Sequence, residues 1–359
     1  MFALDDIINV APYSLGQADK EVLYFDALTA LTRYHYEHCI PYRKVLEALG
    51  FDCAITYSIE DLPFFPVRLF KDYELLSVDR SAVIKTMMSS GTTGQKVAKI
   101  FIDRITAMYQ TKVLTKIVTS FTGNKRLPLL LFDTSAVVKD RAAFSARGAG
   151  ILGFSMLGYD VTYAFDENMH LDLNGVKAFL KKHENEEILL FGFTYMIWEH
   201  FYRKLLELNI TLPLERGILI HGGGWKKLHA VAVTNDIFKR ELKKACGVKR
   251  IFNYYGLVEQ AGSIFMECEK GHLHSSIFSD IIIRDLDFTV CTKGKTGIVQ
   301  LLSLLPISYP GHNILTEDLG EIIGVDDCPC GRKGKYFKLC GRIKNAEIRG
   351  CSDTYTTES

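Results

Sequence analysis

The chain has 359 residues, 48% of them apolar, with 43 basic against 42 acidic side chains and a formal net charge of +1. That length exceeds an ordinary single domain and predicts two or three subdomains with sizeable cores. Near-neutrality excludes the basic excess or stripe that nucleic acid or an anionic membrane surface would need.

The N-terminal MFALDDIINVAPY carries acids where a signal peptide carries positive charge. Nowhere is there an apolar run long enough for a membrane span. Nine cysteines without a secretion signal predict reduced thiols and a cytoplasmic protein.

Residues 1–80 read as a helical N-terminal region. DKEVLYFDALTALTRYHYEHC spaces Leu23, Phe25, Leu28, Leu31 and Tyr34 at roughly helical intervals, and IPYRKVLEALG closes at Gly50 as a helix cap would. Residues 81–273 read as an α/β core. LPLLLFD (127–133), EILLFGF (187–193), RGILIHGGG (216–224) and KRIFNYYG (249–256) lack polar alternation, as strands buried on both faces do. Helical stretches such as NDIFKRELKKACG separate them, which predicts a mostly parallel sheet flanked by helices. Residues 274–350 change character: HSSIFSDIIIRDLDF and GKTGIVQLLSLLP predict a smaller, hairpin-rich β subdomain. The polar tail CSDTYTTES, 351–359, is expected to be flexible.

Three local matches carry no function. GAGILG at 148–153 fits G-x-G-x-x-G but follows KDRAAFSAR, which reads as helix, where a dinucleotide fingerprint must follow a strand. HGGG at His221 has no G-x-S-x-G nucleophile elbow to serve. His200 and His312 stand without ligand-like neighbours and read as core or surface residues.

MMSSGTTGQKVAK (87–99) raises a sharper question. Ser89, Ser90, Gly91, Thr92, Thr93 and Gly94 crowd hydroxyls and freed amides into one loop, and Lys96 closes it. Such a loop can nest an anion, with the lysine as a point charge for phosphate; it can equally be a solvated turn. The Walker A spacing is absent.

Other groups follow at strand-to-loop junctions, where α/β sheets present ligand residues. Gly222, Gly223 and Gly224 allow close approach of a flat ligand. Tyr254, Tyr255, Gly256 and Glu259 put aromatic rings beside a glycine and a carboxylate suited to Mg²⁺. Asp318 stands before an expected turn at Gly320, suited to a sugar diol, and Arg342 follows Gly341. Each alone has a plainer structural reading. Their order after SSGTTGQK lifts them above it.

From about Pro66 to Gly350 that order resembles the adenylate-forming superfamily, through S-S-G-T-T-G-x-K, Y-Y-G-x-x-E, T-E-D-L-G-E-I and G-R-I-K-x-A-E-I-R-G. FPVRLFK, HGGGWKKL and GRIKNAEIRGCSDT resemble its acyl-protein synthetase branch, the fatty-acid ligase component of bacterial luminescence, with phenylacetate–CoA ligases as near relatives. The resemblance implies an α/β fold of that superfamily's N-terminal type, with ATP and Mg²⁺ as cofactors. Ser90, Thr92, Thr93 and Lys96 would cradle phosphates, Gly222 to Gly224 and Tyr255 flank adenine, Glu259 hold Mg²⁺, and Asp318 and Arg342 take the ribose hydroxyls. A fatty or other carboxylic acid would attack the α-phosphorus to give an acyl-adenylate.

Superfamily members continue into a mobile C-terminal subdomain with a catalytic lysine, which here is expected to be absent or reduced to the tail. Adenylation would then rely on Lys96 or other basic residues, or be slower. Cys351 sits where acyl-protein synthetases carry their acyl group, which implies a thioester delivered to a reductase or acyltransferase partner. Two other readings stay open: an acid–CoA or acid–carrier ligase in which Cys351 is incidental, and a non-catalytic nucleotide-binding scaffold.

Cys268, Cys328 and Cys330 with one histidine would make a Cys₃His zinc set, although C-x-C is tighter than the common C-x₂-C. Likeness to the phenylacetate–CoA ligases points to His274 as the fourth ligand.

Overall fold

The computed structural model describes residues 4–89, 96–138, 144–225 and 232–343. The strands in chain order are β1 (Phe65–Pro66), β2 (Val83–Met88), β3 (Lys99–Asp103), β4 (Leu127–Thr134), β5 (Phe144–Ser145), β6 (Gly158–Phe165), β7 (Ile188–Phe193) and β8 (Gly217–Gly222). They continue as β9 (Arg250–Tyr255), β10 (Phe265–Glu267), β11 (Leu273–His274), β12 (Ser279–Arg284), β13 (Gly297–Ser303), β14 (Asn313–Val325) and β15 (Lys335–Arg342). Among the described residues, contacts separate two compact units, one holding those up to Ser120 and from Gly256 to Ile343, the other those from Phe121 to Tyr255.

In the Phe121–Tyr255 unit the strands run β9-β8-β7-β4-β6, every neighbour parallel. The unbroken apolar runs of the sequence are the reason. All of β7 and β8, and β4 after its first residue, are buried, so apolar side chains dominate both faces, with Asp133, Thr134 and His221 as polar exceptions near the strand ends. Helices between the strands begin and end on chemical signals. Asp172 accepts from Gly175 N–H (2.9 Å) ahead of helix Leu173–Lys182, and Thr234 accepts from Ile237 N–H (3.3 Å) ahead of helix Asn235–Cys246. The second of these stops on Gly247 at φ +75°, where a Cβ would lie 2.8 Å from Glu215 Cγ.

The segment read as helix before GAGILG is different where it is described. Phe144–Ser145 is strand, and helix starts only at Ala146, where the Ser145 hydroxyl accepts from Gly148 N–H. A capping serine competes with the helix for backbone groups, so it marks a start rather than an interior.

The other unit carries an antiparallel sheet, β12-β13-β14-β15-β11-β10, with β1 parallel to β14. The antiparallel hairpin β2–β3 lies outside this sheet. Helix α1 (Gln17–His38) packs this unit with a stripe at helical spacing: Lys20, Tyr24, Ala27, Leu28, Leu31 and His35 are all buried. Cys39 takes extended backbone, and Pro41 opens the next helix, α2 (Ile40–Ala48), where the missing N–H costs nothing.

Lys20 is the charged residue on this stripe. Its Nζ lies 3.3 Å from Asp280 Oδ1, and Lys335 Nζ and Gln17 Nε2 reach the same carboxylate at 3.3 and 2.9 Å. Burial drags Lys20 down to about 8 despite Asp280. At Asp280 burial acts upward, but the two ammonium groups and Gln17 outweigh it and hold the carboxyl at about 2.

A second buried polar group is made of histidines. His35 Nε2 donates to Pro306 O (3.1 Å), and because a carbonyl only accepts, Nδ1 must accept the Ser77 hydroxyl (2.7 Å). The ring stacks on His312 at 4.9 Å, and His312 Nε2 meets Thr32 Oγ1 at 2.9 Å. Burial pushes His35 down to about 3 and His312 well below its ordinary value. Both rings are neutral in the fold.

Unfolded histidine takes a proton below about 6.5, so unfolding takes up protons and stability falls as pH drops. Stability to urea is expected to be level near pH 7 and to fall below 6.5, by up to about 1.4 kcal/mol per pH unit for each buried neutral histidine. His35→Gln removes one histidine's share of that slope. A midpoint that stays flat from pH 7 to 5 would contradict the neutral pair.

Candidate functional site

The glycine run after β8 has two structural uses. Gly222 lies opposite Tyr254 in the parallel β8–β9 register, and a Cβ on Gly222 would sit 2.4 Å from the Tyr254 ring. Gly223 turns the chain at φ +77°. The structure thus brings Tyr254 against the glycines, while Tyr255 is buried.

A brace that the sequence did not announce stands beneath this run. Thr194, directly after β7, donates to Gly222 O (3.2 Å), so its oxygen accepts His221 Nδ1–H at 2.9 Å. Burial lowers His221 to about 3, which keeps it neutral. The HGGG histidine therefore pins the strand end. Its only sequence signal is a hydroxyl at the end of the neighbouring apolar run.

In the other unit, Glu259 is buried in the short turn Val258–Gln260. Its backbone oxygen accepts the Tyr309 hydroxyl (2.9 Å). The Gln260 amide donates to Leu301 O (3.1 Å) and Gly311 O (2.8 Å). A Cβ on Gly311 would come within 2.7 Å of Glu259 O. The carboxylate therefore sits on a rigid mount, and Gly256 begins the loop leading into it.

Asp318 requires a correction. It does not precede a turn, because β14 runs unbroken from Asn313 to Val325 through Gly320. Gly320 instead marks a register irregularity against β15, where a Cβ would sit 2.8 Å from Val299 Cγ2. The consequence is chemical. Asp318 pairs with Arg342 across β14 and β15, with Arg342 Nε 3.2 Å from Asp318 Oδ1 and Nη2 3.0 Å from Glu317 Oε2. Two residues far apart in sequence form one charged pair.

Ser89 is buried at the base of the β2–β3 hairpin, where its hydroxyl accepts Ala98 N–H at 2.9 Å. Lys96 is exposed and lies 3.6 Å from Asp72. Ser90, Gly91, Thr92, Thr93, Gly94 and Cys351 lie outside the described residues.

Cys268, His274, Cys328 and Cys330 do converge, with their donor atoms within 4.8 Å of one another. Cys268 and Cys328 sulfurs are 3.9 Å apart, and Cys330 Sγ is 3.4 Å from His274 Nε2. A tetrahedral zinc with bonds of about 2.3 Å to sulfur spaces its sulfurs about 3.8 Å apart, so the set has the right size. His272 Nδ1 approaches Cys328 at 3.5 Å but is outside the four. Burial raises the Cys328 thiol to about 12 and also raises Cys268. At Cys330 burial is outweighed by hydrogen bonds from Arg332 and the neighbouring thiols, which lower it.

Residues 2–358 match the acyl-protein synthetase family, LuxE. The chain belongs to that family. It is therefore an ATP-dependent, AMP-forming ligase.

Across 97% of its length the chain is 23% identical to the long-chain-fatty-acid–luciferin-component ligase of Vibrio harveyi, covering 92% of that protein. A similarly named ligase of Photorhabdus luminescens is 35% identical over 98 residues, 26% of this chain and 80% of that one. Among solved structures, 2-hydroxyisobutyryl-CoA ligase in complex with 2-HIB-AMP superposes with a TM-score of 0.72 at 15% identity, over 93% of this chain and 70% of that one. That likeness gives the fold, a mixed α/β architecture shared with adenylate-forming ligases. No helix among the described residues is long and apolar enough to cross a membrane.

Proposed function

We propose that the chain, acting in the cytoplasm, activates a long-chain fatty acid with ATP and Mg²⁺ and then carries the acyl group on its own Cys351. The observation that carries this reading is the pairing of Asp318 with Arg342, the two motif residues that the resemblance assigns to the ribose hydroxyls. The relatives' names support the fatty acid.

In the first step a carboxylate oxygen attacks the α-phosphorus, the bond to the β-phosphate oxygen breaks, and pyrophosphate leaves. Lys96, the loop amides near it and Glu259 through Mg²⁺ would offset the charge that builds up. In the second step the Cys351 thiolate attacks the acyl carbon, a thioester forms and AMP leaves. Cys351 lies eight positions after Ile343, a reach of up to about 29 Å when extended. The acyl group would then pass to a reductase or acyltransferase. Cys268, His274, Cys328 and Cys330 would hold a closed structural zinc that takes no part in these steps.

The test uses radiolabelled fatty acid, ATP and Mg²⁺ followed by denaturing electrophoresis. Label on the chain that hydroxylamine removes is expected, and Cys351→Ser abolishes it while pyrophosphate release continues. Label appearing solely on added CoA would replace this reading with an acid–CoA ligase. No pyrophosphate release with any acid would leave a nucleotide-binding scaffold.

A further inference from the structure

Resting on the nucleotide reading above, we propose that Glu317 is a positioning residue for the ribose end of the site, holding Arg342 so that Asp318 stays available to the ribose hydroxyls. Glu317 grips two successive residues. Its side-chain Oε2 accepts Arg342 Nη2 at 3.0 Å, and its backbone oxygen accepts Ile343 N–H at 3.0 Å.

The grip matters because the strand ladder does not set Arg342 by itself. The β14–β15 register shifts between Leu319 and Gly320, and Gly341, immediately before Arg342, sits at φ +119° in a region open chiefly to glycine. A side chain launched from so irregular a backbone needs a second restraint to keep one direction. The Arg342, Glu317 and Asp318 side chains are 10%, 18% and 3% exposed, so the pairing is shielded from solvent screening.

Charge leads to the same conclusion. Asp318 and Glu317 both face one guanidinium. When ribose hydroxyls donate to Asp318, Arg342 keeps Glu317 as a counter-ion and does not have to be stripped of its partner. Without Glu317 the guanidinium leans on Asp318 and competes with the ribose for its oxygens.

The test measures equilibrium binding of ATP and 2′-deoxyATP to the full chain as wild type, Glu317→Ala and Glu317→Asp, with thermal melting alongside. Wild type is expected to prefer ATP. Glu317→Ala weakens ATP binding by about 10- to 100-fold, the scale for a charged hydrogen bond. It affects 2′-deoxyATP less, so the preference shrinks, and Glu317→Asp restores part of it. Melting temperatures stay close together.

Wild-type ATP affinity and preference in Glu317→Ala would overturn the proposal and leave the nucleotide reading intact. Equal losses for both nucleotides with a lowered melting temperature would reduce Glu317 to a structural residue. A wild-type chain that binds neither nucleotide would overturn the nucleotide reading, and the proposal with it.

Discussion

Glu259→Gln is expected to slow fatty-acid-dependent pyrophosphate exchange by about 10²–10³-fold, the cost of losing one charge-stabilising contact on a reacting group. The substitution keeps the size and hydrogen-bonding shape of the side chain and removes its charge. The turn that carries it is fastened through main-chain atoms, by the Tyr309 hydroxyl on Glu259 O and by the Gln260 amide on Leu301 O and Gly311 O. Those contacts survive the change, so the melting temperature should move little. A hard cation such as Mg²⁺ selects anionic oxygen, so the apparent Mg²⁺ requirement should rise in the variant, and added Mg²⁺ should recover part of the rate. Exchange within about threefold of wild type would remove Glu259 from the metal role, since the scale for such a contact is far larger. A collapse of melting temperature together with rate would make the residue part of the core instead.

The elements most legible in the sequence were those whose burial leaves one pattern available. A strand covered on both faces must be apolar throughout, and the runs around Leu129 to Phe132, Leu189 to Phe193 and Gly217 to Ile220 are so covered. Helix α1 was legible because its apolar positions recur at the helical period, and its C-terminal helical neighbour because Gly50 follows it. Asp318 was misjudged for a related reason. A glycine two residues on reads as a turn, yet Gly320 serves a close approach inside a strand, which spacing alone does not reveal.

The site shows the same limit. The resemblance assigned Asp318 and Arg342 to one ribose, but their direct contact depends on the β14–β15 register, a property of two strands and not of either. Glu317 and the Thr194–His221 brace were missed because their side-chain partners are set by tertiary contacts between strands, which residue spacing does not reveal. The buried Lys20 was hidden in the same way, since its partner Asp280 lies 260 positions further along. The cysteines could be grouped because soft ligands are few and two of them are nearly adjacent.

Cys328→Ser should release zinc from a chain that otherwise carries about one equivalent when purified without chelator. The four donors come from chain positions up to 62 apart, Cys268 and His274 on one side and Cys328 and Cys330 on the other, so the ion would cross-link β11 to the loop between β14 and β15. Metal affinity in such a site is folding free energy, because the unfolded chain holds no preformed set. Losing one thiolate leaves three donors, among them the Cys268 thiol that burial has raised, and the ion no longer offsets that cost. A loss on the order of 4 kcal/mol lies at the severe end for a single substitution. At roughly 2–4 °C per kcal/mol the melting temperature should drop by about 8–16 °C. Cys246→Ser, also buried but not one of the four donors, should keep its zinc. Colorimetric zinc release on thiol modification, read beside melting curves with and without chelator, separates the two variants. A wild-type chain that melts at the same temperature with and without chelator, and contains no zinc, would show that the four side chains stand together as packed thiols and an imidazole without a metal.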